Sequence, residues 1–138
     1  MGVFMFGDKL IIGHSEGLIS DKGRIFPPSF TNPESGDQIL IQKTTWNNEP
    51  ALKIFAYNEY LKIIERYQKL RENATTFEEE EKYNKIIEKI CYTLESLAQI
   101  DKQKRINLPN HLLKEYGWKT KDEIVYTGLG ESLLITKK

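Results

Sequence analysis

The sequence predicts an α+β protein, two strand-rich flanks around a helical hairpin. Three observations carry that reading. The middle of the chain holds two consecutive stretches with apolar residues at helical spacing, and the stretches on either side alternate and are punctuated by turn residues. A short basic motif beginning at Ser20 also recurs, in altered form, from Asp101.

Along the chain, the first flank opens with the short apolar segment Gly17-Leu-Ile19, with His14 in the region of a first strand. Ser20-Asp-Lys-Gly-Arg-Ile-Phe-Pro-Pro28 follows, a basic turn that ends at proline. Gln38-Ile-Leu-Ile-Gln42 and Ala51-Leu-Lys-Ile-Phe55 read as strands, and Asn47-Asn-Glu-Pro50 between them is turn chemistry, so the pair forms a hairpin. Tyr57, Tyr60, Leu61, Ile64, Tyr67 and Leu70 or Arg71 lie on one helical face. Asn73-Ala-Thr75 interrupts that helix. Thr76 with Glu79 three residues on is a capping box, and Glu78 to Glu81 suit the positive end of a new helix. Its stripe is Tyr83, Ile86, Ile87, Ile90, Cys91 and Leu94. The second flank begins with Leu97-Ala-Gln-Ile100 and the turn Asp101-Lys-Gln-Lys-Arg-Ile-Asn-Leu-Pro109. A short helix follows, with Pro109 at its start and Gly117 at its end. Glu123-Ile-Val-Tyr-Thr127 and Ser132-Leu-Leu-Ile-Thr136 bracket Gly128-Leu-Gly-Glu131 as a second strand hairpin.

Composition narrows the function. The 138 residues carry 20 Lys+Arg against 20 Asp+Glu, which excludes a generally polybasic nucleic-acid binder but not a local basic patch. Residues 1–56 carry net −1, residues 57–100 net −2 and residues 101–138 net +3. One cysteine cannot form an internal disulfide and suits a reducing compartment. With two histidines it makes a structural zinc site a poor expectation. The apolar start, Met1 to Phe6, lacks the basic region of a signal peptide, and no stretch approaches the roughly 20 apolar residues of a membrane span. The expectation is a soluble cytoplasmic protein.

Aligning Arg24-Ile25 with Arg105-Ile106, an offset of 81, sets the two basic turns opposite each other. Each follows a short apolar segment, ends at proline and precedes a strand hairpin. In order and content this resembles the MraZ family, bacterial transcription regulators of the division and cell-wall gene cluster. The resemblance runs through Asp21-Lys-Gly-Arg-Ile25, Leu52-Lys-Ile-Phe-Ala-Tyr-Asn-Glu-Tyr60, Asp101 to Pro109, Leu112-Leu-Lys-Glu-Tyr-Gly117, Glu123-Ile-Val-Tyr, Gly128-Leu-Gly and Leu134-Ile135, roughly residues 6 to 136. It implies two AbrB/SpoVT-like swapped-hairpin repeats forming a small β-barrel, with the helical hairpin between them. Residues 6–72 would be the first repeat plus a helix and residues 73–136 a helix plus the second repeat, together one compact pseudo-twofold unit. It further implies a ring-shaped homo-oligomer, DNA as partner through an operator of repeated short boxes, and a nucleoid-associated, cytoplasmic location. The family signature Asp-x-x-x-Arg is intact as Asp101 and Arg105, whereas Ser20 stands before Arg24. Lys104 occupies a position where glycine is usual, which puts a different backbone shape at that turn. The segment from Arg24 to Phe30 is one residue short.

The DNA-contacting residues expected on this basis are Lys22, Arg24, Lys102, Lys104 and Arg105, with Asp101 and Asp21 orienting the turns. Arginine presents a planar fork that suits phosphate or the O6/N7 edge of guanine. One chain offers few such contacts, and a ring repeating them gains avidity where operator boxes match its spacing. The plainer reading of the same cations is a solvated surface. The remaining candidates read as structural. Cys91 sits on an apolar stripe as a core thiol, and His14 and His111 lack partners at motif spacing. Gly128-Leu-Gly130 lies between strands, so it is a turn and not a phosphate loop. Trp46, Trp118 and the stripe of Tyr60, Ile64, Tyr67, Ile86, Ile87 and Ile90 serve packing, within and between chains. No catalytic constellation, metal site, cofactor or small-molecule substrate is implied. The alternative function is an AbrB-like interaction or antitoxin-type protein whose DNA binding is lost or altered.

Overall fold

A computed structural model of the chain describes Phe6 and residues 10–138, with only the main chain of Glu95; the apolar start at residues 1–5 lies outside the described residues. The elements are β1 (His14–Leu18), β2 (Arg24–Ile25), β3 (Gln38–Trp46), β4 (Glu49–Ala56), α1 (Tyr57–Glu72), α2 (Phe77–Tyr92), β5 (Leu94–Gln99), β6 (Ile106–Asn107), α3 (Asn110–Tyr116), β7 (Glu123–Gly128) and β8 (Ser132–Lys137). Six strands form an antiparallel sheet in the order β1-β7-β8-β4-β3-β5, and β2 pairs with β6 in a separate two-stranded ribbon.

The expected closed barrel is corrected. The sheet has two ends, β1 and β5, and no ladder joins them among the described residues. Both are short, and the chain leaves each of them straight into a basic turn. The strands that follow, β2 and β6, pair with one another and bridge neither end. The α+β class and the antiparallel pairing stand.

Pairing is swapped between the flanks. β1 pairs with β7 and β5 pairs with β3, in the same register: Leu18 faces Glu123 and Gly17 faces Ile124, as Gln99 faces Gln38 and Ala98 faces Ile39. Beyond the strands, Ile19 N donates to Asp122 O (3.0 Å) as Ile100 N donates to Asp37 O (3.0 Å). Glu34 N donates to Asp37 Oδ2 (3.1 Å) as Lys119 N does to Asp122 Oδ2 (2.8 Å). The interval between counterparts is 81 residues before α3 and 85 after it. The change falls at one place. A single 3-10 turn, Ser29–Thr31, capped by left-handed Asn32 (φ 52°), stands where the second flank has α3 capped by left-handed Gly117 (φ 70°). Four residues are about one helical turn, so both ends of the segment stay in phase.

One face of the sheet packs Ile39, Ile41, Leu52, Ile54, Ile124, Tyr126, Leu133 and Ile135 against Ile25, Ile106, Leu112 and Trp118. The strand period of two sends Leu40 and Phe55 to the other face, where they meet Tyr60, Ile63, Ile64, Ile90 and Leu94 of the hairpin side. Burial on both faces explains the continuous apolar run Ile39-Leu-Ile41. Asn47 (φ 52°) and Asn48 (φ 64°) make the two-residue turn between β3 and β4, the left-handed pair that matches strand twist. Gly128 is held by something other than the turn: a Cβ there would meet the main chain of Ile11, which crosses it to bridge Gly130.

α1 starts directly from β4, with Ala56 as its uncapped entry. α2 has the expected cap, with Glu79 N donating to Thr76 Oγ1 (3.1 Å), while Glu79 Oε2 accepts from Thr75 N (3.2 Å). Cys91 is exposed, which corrects its assignment to the core. α2 buries no residue fully, because it runs beside α1 and reaches the sheet cluster only at Ile90. Tyr60 is buried, and Ile86 and Ile87 are half-buried.

Candidate nucleic-acid interface

The ribbon is built around two β-branched residues. Ile25 faces Ile106, and each is 0% exposed beneath the ribbon. Alternation along a strand then turns their neighbours away from the core. Arg24 and Arg105 are half-buried and Asn107 exposed, and Phe26 is 54% exposed. Arg24 thus opens β2 and Arg105 immediately precedes β6, so arginines 81 positions apart in sequence come to one ribbon.

The turns ahead of the arginines share a frame. Ser20 N donates to Arg24 O (2.8 Å) and Asp101 N to Arg105 O (3.0 Å). Gly23 N donates to Ser20 O (3.1 Å) and Lys104 N to Asp101 O (2.9 Å). Gly23 has φ 72° and Lys104 φ 61°, so the lysine takes up the left-handed conformation of its glycine counterpart, and the two turns differ in shape one residue earlier, where Lys22 is left-handed and Gln103 is not. The carboxylate of Asp101 holds the lysine there: Oδ1 accepts from Gln103 N (2.9 Å) and Arg105 N (2.8 Å), flanking Lys104 on both sides.

Electrostatics differ between the two turns. Arg105 Nε donates to Asp101 Oδ2 at 3.0 Å. Partial desolvation pushes the Asp101 carboxyl up, but the main-chain donors of Arg105 and Gln103 and the Arg105 guanidinium outweigh it and hold it below the usual carboxylate value. In the first turn Ser20 Oγ donates to Arg24 O (2.9 Å) and cannot play that part. Arg24 Nε donates instead to Asn107 Oδ1 across the ribbon, at 3.0 Å. Asn107 was not among the expected residues. Its only sequence signal is that it stands where the first flank has Phe26, and its partner is 83 residues away. Asp21, expected to orient the first turn, is exposed and makes no hydrogen bond or ion pair among the described residues. The position equivalent to Asp101 is Ser20, not Asp21.

Both arginines are thus fixed through Nε, and their terminal nitrogens have no partner among the described residues. Lys22, Lys102 and Lys104 are exposed and unpaired with acid among the described residues. Lys22 is itself left-handed, with φ 63°. The structure therefore gathers all five expected cations at the ribbon and its two turns, against Asp21 and Asp101. Such an arrangement can hold anions in a fork-shaped geometry. His14 lies on β1 and His111 on α3, in different elements from the ribbon. Among the described residues no group of three or more His, Cys, Asp or Glu side chains is placed to hold a metal ion, and no helix is long and apolar enough to cross a membrane.

No protein-family model matches the chain, and no curated protein matches it. Among solved structures it is similar to the solution structure of PHS018 from Pyrococcus horikoshii, at 14% identity and a TM-score of 0.39, covering 93% of this chain and 90% of that one.

Proposed function

We propose that the chain is a sequence-specific DNA-binding transcriptional regulator of the MraZ type, working in the cytoplasm at the nucleoid as a ring-shaped homo-oligomer. The observation that carries this reading is the β2/β6 ribbon, which joins Arg24 and Arg105, each held by Nε, to three exposed lysines on two turns. Lysines supply sequence-independent phosphate contacts, and an arginine fork adds base discrimination of roughly 1–3 kcal/mol per bidentate contact. The same reading makes the flanks two AbrB-like repeats, residues 6–72 and 73–136. The matched registers and hydrogen bonds support it, and the swapped partners β1 and β5 are what a pair of exchanged hairpins produces. Ser20 favours the alternative of an interaction protein with altered DNA binding, since the first arginine lacks its carboxylate.

The test is a gel shift on DNA upstream of the protein's own gene, with wild type and the Arg24→Ala/Arg105→Ala variant matched for oligomer size. Wild type shifts that DNA and not a scrambled control. The double variant loses at least about fivefold in affinity, the lower bound for one lost bidentate contact. Undiminished affinity in the double variant rules out the ribbon as the site.

A further inference from the structure

We propose that the tip of the helical hairpin of one copy docks into the cleft at the base of the hairpin of the next copy. This rests on the self-association part of the proposed function and not on its DNA part. The cleft holds about 800 Å³ between the hairpin, the β3/β4 strands and the β7–β8 turn. Its apolar wall includes Phe55, Tyr60, Tyr67 and Ile90, and its cations include Lys53 and Lys89. Lys53 is half-buried, faces Gln42 and Leu134 on the neighbouring strands, and has no acid partner among the described residues. The acids nearby are engaged: Glu131 with Arg66 (3.6 Å) and Glu115 with Lys43 (2.6 Å). The cleft is therefore an apolar pocket with positive charge left over.

The tip is its complement. Phe77, the first residue of α2, is 74% exposed, and Leu70 near the end of α1 is 41% exposed. Residues 69–82 at this tip carry Glu72 and Glu78 to Glu81 against Lys69, Arg71 and Lys82, net −2, with Glu72, Glu78 and Glu80 exposed. An exposed aromatic on a net acidic tip complements an apolar pocket holding unpaired lysines. The contact cannot form within one chain. Phe77 and Ile90 sit 13 residues apart on one rigid helix, about 20 Å at 1.5 Å per residue. Tip-to-base contact is head-to-tail, and a head-to-tail contact closes into a ring when its rotation divides a full turn.

The test uses sedimentation velocity without DNA, then disulfide trapping. Wild type sediments as an oligomer, and Phe77→Ser and Lys53→Glu each weaken association at least tenfold. Phe77 is exposed in the single chain, so at concentrations where both are monomeric its variant keeps the wild-type melting temperature. For trapping, Phe77→Cys and Lys53→Cys are each made with Cys91→Ser, and Lys89→Cys replaces Lys53→Cys if the latter misfolds. On oxidation the mixture gives a covalent dimer that neither variant gives alone. A wild-type species of 16.1 kDa at all concentrations, or no cross-link in the mixture, overturns the proposal. So does a monomer whose cleft binds decanoate, which would make the occupant a small amphipathic carboxylate. Because no DNA is present, failure here leaves the ribbon test standing, and failure of the ribbon test leaves this one standing.

Discussion

Lys104 carries a Cβ in a left-handed conformation that glycine adopts freely, and its counterpart Gly23 is a glycine. The penalty for such a residue is of the order of 1 kcal/mol. Lys104→Gly relieves it and removes one cation. The expected outcome is a gain in stability of up to about 1 kcal/mol, read as a higher urea midpoint, together with weaker DNA binding. A paired denaturation and gel-shift measurement checks that the two move in opposite directions. Asp101 makes a second prediction. Its carboxyl titrates below the unfolded value, so the stability it lends is fully present above the unfolded pKa of about 3.9 and is lost as pH falls through the folded pKa. Asp101→Asn lacks that acid-limb contribution. Denaturation curves from pH 7 to pH 3 should show wild type more stable at the neutral end, by about 1–2 kcal/mol for a charge-assisted bond, with the gap shrinking below pH 4.

The ribbon is a short element whose existence depends on what lies under it. Two residues per strand cannot hold a ladder alone; Ile25 and Ile106, fully buried against the sheet, keep it in place. Ile106→Ala should cost about 2–5 kcal/mol in stability, a core-cavity penalty, measured by thermal or urea unfolding. Elements were legible in sequence where local chemistry decided them. The β3/β4 hairpin showed in its alternation and its Asn-Asn turn, and α2 in Thr76 and Glu79. β5 was legible only as a short apolar segment, because Leu94-Glu-Ser-Leu-Ala-Gln99 has weak strand character and becomes a strand by pairing with β3. Cys91 misled for a related reason. Helical spacing identifies a stripe, but nothing in the stripe says that α2 has only α1 to lie against over most of its length. Asn107 was invisible because its role is defined by an arginine on another strand.

At the scale of the whole molecule, the order β1-β7-β8-β4-β3-β5 reads the same from both ends once each strand is exchanged for its counterpart. The basic motif that recurs at an offset of 81 was the readable trace of that symmetry, and the slip to 85 was hidden in the extra turn of α3. The open sheet was not readable, since closure depends on whether two distant short strands meet. Symmetry also explains how a chain of zero net charge gathers a positive patch: the swapped pairing brings both basic turns to one ribbon. The most direct check of that account is the salt dependence of DNA affinity, followed by fluorescence anisotropy, for wild type and a Lys22→Ala/Lys102→Ala/Lys104→Ala variant. If the turns touch phosphate, the slope of log affinity against log salt falls by about 0.9 for each lysine removed from each engaged protomer. A slope unchanged by the triple substitution would contradict the ribbon as the DNA-contacting surface.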